Sequence, residues 1–213
     1  VAGRMAMQVA AWALMKTTRG RGVLLGGVPG VMPAKVVIIG GGVSGSNAAE
    51  IAVGMRSDVT VFDRNNARLA ELDAQFNGAV KTMYSNKAAL DAAVREAVLE
   101  IGAVLIPGSA APILVTRDQL KHMRPGAVLV DIAIDQGGCF ETSHATTHED
   151  PIYEIDGILH YCVANMPGAV PRTSTYALNA ATVYHAKRIA RLGWKDAMLE
   201  DRHLLNGLNV CEG

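Results

Sequence analysis

The sequence predicts an α/β fold built on a doubly wound parallel sheet, and three observations carry that expectation. Residues 35–63, KVVIIGGGVSGSNAAEIAVGMRSDVTVFD, read as strand, glycine turn, helix and second strand. Short β-branched apolar runs recur downstream at intervals of roughly 20–25 residues. Helical periodicities separate them, so the crossovers are right-handed and the strands parallel, with their carboxyl ends along one edge.

Within the first segment, residues 36–39 form an uncharged β-branched run of the kind buried on both faces of a parallel sheet. Gly40, Gly42 and Gly45 then satisfy G-x-G-x-x-G. The first suits a tight turn, the second close approach of a pyrophosphate and the third packing of helix on strand. A helix beginning near Val43, followed by Ser44, aims unpaired N–H groups and the positive end of its dipole at that pyrophosphate. Residues 59–62 supply the next strand. Asp63 follows 23 positions after Gly40, near the offset of about 20 expected of a carboxylate that binds adenosine ribose hydroxyls. An acid there favours NAD over NADP, whose 2′-phosphate it repels.

The remaining elements follow in order. Residues 1–17 place Val1, Met5, Val9 and Trp12 at helical spacings, and the glycines at 20 and 22 end that helix. The Gly/Pro-rich stretch 23–33 has no Gly-Lys-Ser/Thr and reads as a hairpin-like lead into the sheet. Asn65 or Asn66 caps a helix to about Phe76, with Leu69 and Leu72 inward, and Asn77-Gly78 stops it. A strand is expected over 80–84, a helix over 86–98 with Leu90, Val94 and Ala97 inward, and a fourth strand over 103–106, closed by Pro107-Gly108. Thr116 to Gln119 has the form of a capping box opening a short helix to Met123. A fifth strand spans 127–132, and Asp156-Gly157 joins 153–155 and 158–161 as a hairpin. Ser174 or Thr175 caps a long helix to about Leu192, which Gly193 terminates, and a shorter helix and tail complete the chain.

Composition narrows the class of function. Twenty basic and twenty acidic residues cancel, so neither a nucleic-acid footprint nor a membrane-surface patch is indicated. Apolar runs stay below the roughly 18 residues that span a bilayer, and no signal-peptide pattern opens the chain, so the default compartment is the cytoplasm. Cys139, Cys162 and Cys211 are odd in number and widely spaced, against a disulfide framework or thiolate zinc site. The chain begins at Val1 inside a helical pattern, as a partial chain would.

Several residues are candidates for chemistry. Asp135 follows a buried strand and precedes two glycines. A carboxylate there can orient a nicotinamide ribose or take part in proton traffic near a hydride-transfer centre; a turn-forming Asp is the alternative. Asp131, four residues earlier, reads as a structural partner. Ser85, at the end of a parallel strand, either reaches a cofactor or caps the next helix. Asn165 and Met166 lie in a Pro/Gly-bounded loop, where an amide can bond a nicotinamide and a thioether can pack on its ring, unless the loop is structural alone. His144 and His148 are four apart, but without the Glu of H-E-x-x-H they do not make a metal motif, and no metal is expected. The single histidines at 122, 160, 185 and 203 read as surface or packed residues, and Cys139 as a packed thiol.

Taken together, PAKVVIIGGGVSGSNAAEIAVGM, GAVLIPGSAAP, RPGAVLVDIAIDQGGCFE and YCVANMPGAVPRTSTYALNAAT closely resemble the alanine dehydrogenase family over nearly all of the chain. The resemblance implies a Rossmann-type NAD-binding domain and reversible oxidative deamination of L-alanine to pyruvate and ammonium, in cytoplasmic homohexamers. It places cofactor contacts on Gly40, Gly42, Val43, Ser44, Gly45, Asp63, Arg68, Ser85, Val104, Leu105, Ile132, Ala133, Ile134, Asp135, Val163, Ala164, Asn165 and Met166, and matches Asp135 to the family's active-site aspartate. A further contact in some relatives is an Arg where this chain has His144, and is not carried over. The family's substrate-binding Arg and Lys and its acid/base His belong to an N-terminal substrate domain. The expected divisions are a linking helix and lead-in over 1–34, the NAD-binding domain over 35–170 and helices returning toward the substrate domain over 171–213. The nearest rival is the NAD-binding domain of a proton-translocating transhydrogenase, whose counterpart of IAIDQGG resembles AAENGG and lacks the acid at 135. A non-catalytic dinucleotide-binding module is the rival of another class.

Overall fold

A computed structural model describes residues 1–106 and 110–211. The Pro107-Gly108 stop lies outside the described residues. The chain divides into two compact units, Val1–Ala169 and Val170–Gly213.

The first unit is organised on a seven-stranded sheet of β1 (Lys35–Ile39), β2 (Asp58–Asp63), β3 (Val80–Tyr84), β4 (Leu99–Gly102), β5 (Val128–Asp131), β6 (Ile152–Ile155) and β7 (Ile158–Tyr161), in the order β3-β2-β1-β4-β5-β7-β6. Every neighbouring pair is parallel except the β6–β7 hairpin. From β1 the chain winds outward to β3, then returns to lay β4 on the other side of β1. Loops leaving β1 and β4 therefore part in opposite directions, which opens a crevice at their carboxyl ends.

Local chemistry accounts for most boundaries. The Asn65 side chain accepts hydrogen bonds from the N–H groups of Ala67 and Arg68 at the start of α3 (Asn66–Phe76), and Asn77 and Gly78 end it in left-handed conformations. Asn86 caps α4 (Lys87–Glu96), and Thr116 with Gln119 completes a capping box at α5 (Arg117–Leu120). The hairpin turn has positive φ at both Asp156 and Gly157, the backbone twist that matches two right-twisted strands. The lead-in is pinched by an antiparallel bridge between Val28 and Val31.

Three expectations are corrected. The first helix, α1, ends at Ala13, and its buried face is Gly3, Met5, Ala6, Met7, Ala10 and Ala13, whereas Val1 and Trp12 are exposed. Small residues form that face because α1 packs closely on α2 (Val43–Gly54): a Cβ at Gly3 would lie 2.0 Å from the Ser44 carbonyl oxygen. The fourth strand is residues 99–102, four residues before the expected 103–106. Glu100 interrupts its apolar run with a charge. The structure buries that residue, in register with Val37 of β1 and Leu129 of β5. Finally, the long helix of the second unit, α6 (Pro171–Leu192), begins with Pro171 at its first turn and Val170 as its cap, ahead of Ser174 and Thr175. The fixed φ of proline is already helical and its missing N–H is one that a first turn leaves unbonded. Gly193 ends this helix, and α7 (Trp194–Glu200) and α8 (Arg202–Leu205) follow, with Arg188 bridging to Glu200 and Asp201.

Glu100 is the costly residue in this core. Both carboxyl oxygens are buried without a hydrogen-bond partner, on a sheet face carrying Leu90, Val94, Leu120 and Phe140, with the Cys139 thiol the titratable group near it. Burial pushes its pKa from 4.5 up to about 8, so the folded chain holds the proton more tightly than the unfolded one. The penalty is absent below pH 4.5, grows as pH rises through the window up to about 8, and is constant above it. Glu100→Leu is expected to stabilise the fold by roughly 3 kcal/mol at pH 7 and by much less near pH 4.5. Urea unfolding at the two pH values measures this, and an equal effect at both would show that the carboxyl titrates normally.

Candidate functional site

The site begins where β1 ends. Gly40 turns the chain with φ +102°, and a Cβ there would lie 2.7 Å from the carbonyl oxygen of Ala103, just beyond β4. Gly42 caps α2 and its Cβ position meets nothing within 4 Å, so that position is open to a ligand. Gly45 has the opposite reason for lacking a side chain: its Cβ would sit 1.8 Å from the Gly40 carbonyl oxygen. The first turn of α2 therefore rests directly on the end of β1, with Val43 82% exposed at its tip. N–H groups at such an end suit an anionic group.

Asp63, the last residue of β2, faces this turn. Its Oδ2 accepts a hydrogen bond from the Gly41 N–H at 2.7 Å, and its Oδ1 one from the Asn65 N–H at 2.8 Å. Arg68 of α3 completes the arrangement: its Nε donates to the Gly41 carbonyl oxygen at 2.6 Å, while Nη1 pairs with Glu71. Gly41 is thus gripped from both sides, a role invisible in a motif that treats position 41 as arbitrary. A Cβ on it would strike Leu72 at 2.7 Å.

Around this turn lies a cavity of about 500 Å³ bounded by Gly40, Gly42, Val43, Ser44, Asp63 and Ser85. Val104 and Leu105 form its far wall. Ser85 donates its N–H to the Asp63 carbonyl oxygen, and because Asn86 caps α4, the hydroxyl of Ser85 is not the cap. Sequence reasoning missed Arg64, Ala103, Ile106, Pro112 and Leu114 in this wall. The shifted β4 explains Ala103 and Ile106, since both now fall just beyond the strand. Arg64 had only its adjacency to Asp63 to mark it.

The other predicted residues do not line this cavity. They lie on the loops leaving β5 and β7, one and two strands further along the same carboxyl edge. After Asp131, Ile132 and Ala133 lead into a 3₁₀ turn, Ile134–Gln136, and Asp135 is exposed on it while Ile134 is buried. Beyond β7, Val163 bridges to Thr146. Ala164 and Asn165 are exposed, with Asn165 at φ +56°, and Met166 is buried at the start of a turn packed toward α1. The predicted residues of these two loops are apolar except Asp135 and Asn165, so the loops offer a carboxylate and an amide among apolar neighbours.

A polar network lies beneath these loops. Asp131 accepts hydrogen bonds from Ala133 N–H at 3.0 Å, Cys139 N–H at 2.8 Å and the Ser143 hydroxyl at 2.5 Å. Tyr153 donates its hydroxyl to the Thr142 carbonyl oxygen and touches the Cys162 thiol. His144 stacks on Tyr153 at 3.6 Å, and Tyr153 on His160 at 4.8 Å. His148 sits apart from His144, with Nε2 3.1 Å from the Asn165 carbonyl oxygen. Burial lowers His160 to about 4 and raises Cys162 to about 11, and burial with the adjoining Asp131 raises Cys139 as well. At neutral pH the imidazole is therefore uncharged and both thiols keep their protons, which suits packing groups better than nucleophiles.

This arrangement of glycine turn, acid and loops has close counterparts. The alanine dehydrogenase of Halomonas elongata is 57% identical over all 213 residues, which cover 57% of its length. A solved structure of an L-alanine dehydrogenase superposes with a TM-score of 0.95 at 53% identity, covering 98% of this chain and 58% of that one. A transhydrogenase from Sinorhizobium meliloti is more distant, at 28% identity and a TM-score of 0.65 over 79% of this chain and 48% of that one. The chain thus spans somewhat more than half the length of the relatives it matches. Residues 6–213 match the family described as alanine dehydrogenase/PNT, C-terminal domain, and the chain belongs to that family.

Proposed function

We propose that this chain is the NAD-binding part of an L-alanine dehydrogenase, the enzyme that interconverts L-alanine with pyruvate and ammonium. The observation that carries the reading is the convergence of Gly40, Gly42, Val43, Ser44, Asp63 and Ser85 on one cavity at the point where strand order reverses. The open Cβ position of Gly42 beside the helix end fits a pyrophosphate, and the Asp63 carboxylate fits the hydroxyls of an adenosine ribose. When bound, NAD supplies the hydride acceptor.

The chain's own residues bind and orient. Asp63 is held by two backbone N–H groups, so its position is set before any ligand arrives, and Arg68 fixes the Gly41 peptide that carries one of them. Val104 and Leu105 give the cavity an apolar wall. On the nicotinamide side, Ile132, Ala133, Ile134 and Asp135 form one shoulder and Val163, Ala164, Asn165 and Met166 the other. Asp135 is the catalytic residue of this proposal, able to hold a ribose hydroxyl or exchange a proton with the reacting groups. Its presence favours the dehydrogenase over a transhydrogenase. We further propose a cytoplasmic homohexamer and a division into 1–34, 35–170 and 171–213. Among the described residues no helix is long and apolar enough to cross a membrane, and none of their His, Cys, Asp and Glu side chains group as a metal site.

NADH titration by fluorescence tests the cofactor assignment. Asp63→Arg should weaken NADH binding by about tenfold or more, because hydrogen bonds to a charged group are lost, and should narrow the preference over NADPH. An unchanged dissociation constant would show that the acid is misassigned.

The resemblance assigns the substrate-binding Arg and Lys and the acid/base His to a substrate domain, whereas residues 6–213 match the family's C-terminal domain. The 213-residue chain is therefore expected to bind NADH yet give no alanine-dependent NADH production; robust turnover would overturn this division of labour.

A further inference from the structure

We propose that Asp131 is a positioning residue for the nicotinamide half of the site, its one carboxylate holding both ends of the loop that presents Asp135. This rests on the cofactor reading above and extends it to a residue that makes no cofactor contact there. Asp131 ends β5 and is fully buried. Its Oδ1 accepts the Ala133 N–H, immediately before the 3₁₀ turn, and its Oδ2 accepts the Cys139 N–H, three residues after that turn. The loop is thereby closed over a single side chain. Inside it, Gln136 and Gly138 donate their N–H groups to the Ala133 carbonyl oxygen, so little freedom remains to the backbone of Asp135.

The two glycines after Asp135 fit this device. Gly138 has φ +81°, and a Cβ on it would lie 2.8 Å from Asp131 Oδ2 and 2.7 Å from Ser143 Cβ. The chain passes so close to the carboxylate that no side chain fits between them. Gly137, at φ +95°, meets nothing within 4 Å and is required by conformation alone.

The second shoulder is tied to the same anchor. Ser143 donates to Asp131 Oδ2, and its Oγ lies 3.8 Å from the Cys162 thiol, adjacent to Val163. Thr146, three residues beyond Ser143, donates its N–H to the Cys162 carbonyl oxygen and pairs with Val163. Four hydrogen bonds converge on Asp131, from the N–H groups of Ala133 and Cys139, the Cys139 thiol at 3.5 Å and the Ser143 hydroxyl, two on each oxygen, so the position needs a group with acceptors on both arms. A carboxylate has them, whereas an asparagine amide turns an NH₂ toward an N–H or hydroxyl donor. A buried Asp that merely stabilises the fold would show no preference between the halves of a dinucleotide.

The test compares NADH with ADP, which carries the adenosine and pyrophosphate but no nicotinamide riboside, by titration of the 213-residue chain and its Asp131→Asn and Ser143→Ala variants. Asp131→Asn is expected to weaken NADH about tenfold while changing ADP by less than about twofold, and Ser143→Ala to do the same more mildly, about threefold, as one of the four hydrogen bonds is lost. Equal losses for both ligands, or none, would overturn the inference. Should Asp131→Asn fail to fold, Ser143→Ala decides by the same comparison. If the parent chain binds neither ligand, the cofactor reading itself falls, and the inference with it. Binding of both by the parent with no selective loss in the variants removes the inference alone.

Discussion

The site depends on how closely α2 can approach the end of β1. Gly45 lies against the Gly40 carbonyl oxygen at a separation that leaves no room for a Cβ, and Gly3 of α1 makes a similar approach to the Ser44 carbonyl oxygen from the other side. These contacts set the first turn of α2 over the strand and turn its N–H groups into the crevice. The gripping of Gly41 by Asp63 and Arg68 follows from that placement, since the acid at the end of β2 meets the turn only when the turn is pulled down onto the sheet. A helix one methyl group further out would lose both the anion-binding end and the preset carboxylate.

The sheet then distributes the work. Its order puts β2 and its acid on one side of β1, and β4, β5 and β7 on the other. In the proposed reading the adenosine half of a dinucleotide falls toward Asp63, and the other half toward the loops after β5 and β7. Those loops are irregular backbone at an exposed edge, where hydrogen bonds along the strands have ended. Their shape is imposed from beneath by Asp131 and Ser143 and by the packing of Tyr153 between His144 and His160.

Much of this was legible in the chain, where local chemistry acts over a few residues. Asn65, the Thr116 to Gln119 capping box and Asp156-Gly157 each act within one turn; the structure selects Asn65 over Asn66 as the cap, forms the box on a helix that ends at Leu120 rather than Met123, and turns the hairpin at Asp156-Gly157. Residues whose meaning depends on distant partners were harder. Glu100 shifted the fourth strand because a charge in a mixed run signals solvent, and only the packed sheet shows it buried. The helical spacing of Val1, Met5, Val9 and Trp12 does not reveal the small-residue face that lets α1 touch α2. Asp131 was recognisable as structural, but the three residues that donate to it lie 2, 8 and 12 positions further on, across a loop whose path no local rule dictates. The cavity wall beyond β4 was half visible, with Val104 and Leu105 anticipated and Ala103 and Ile106 hidden by the strand error.

The proposed binding mode lays one dinucleotide across the carboxyl edge, from Asp63 over the glycine turn to the loops bearing Asp135 and Asn165. A crystal structure of the chain with NADH is the decisive measurement. The adenosine ribose is expected on Asp63, the pyrophosphate against the Gly40 to Gly45 turn and the nicotinamide between the β5 and β7 loops. NADH seated elsewhere, or reversed along the same edge, would contradict it.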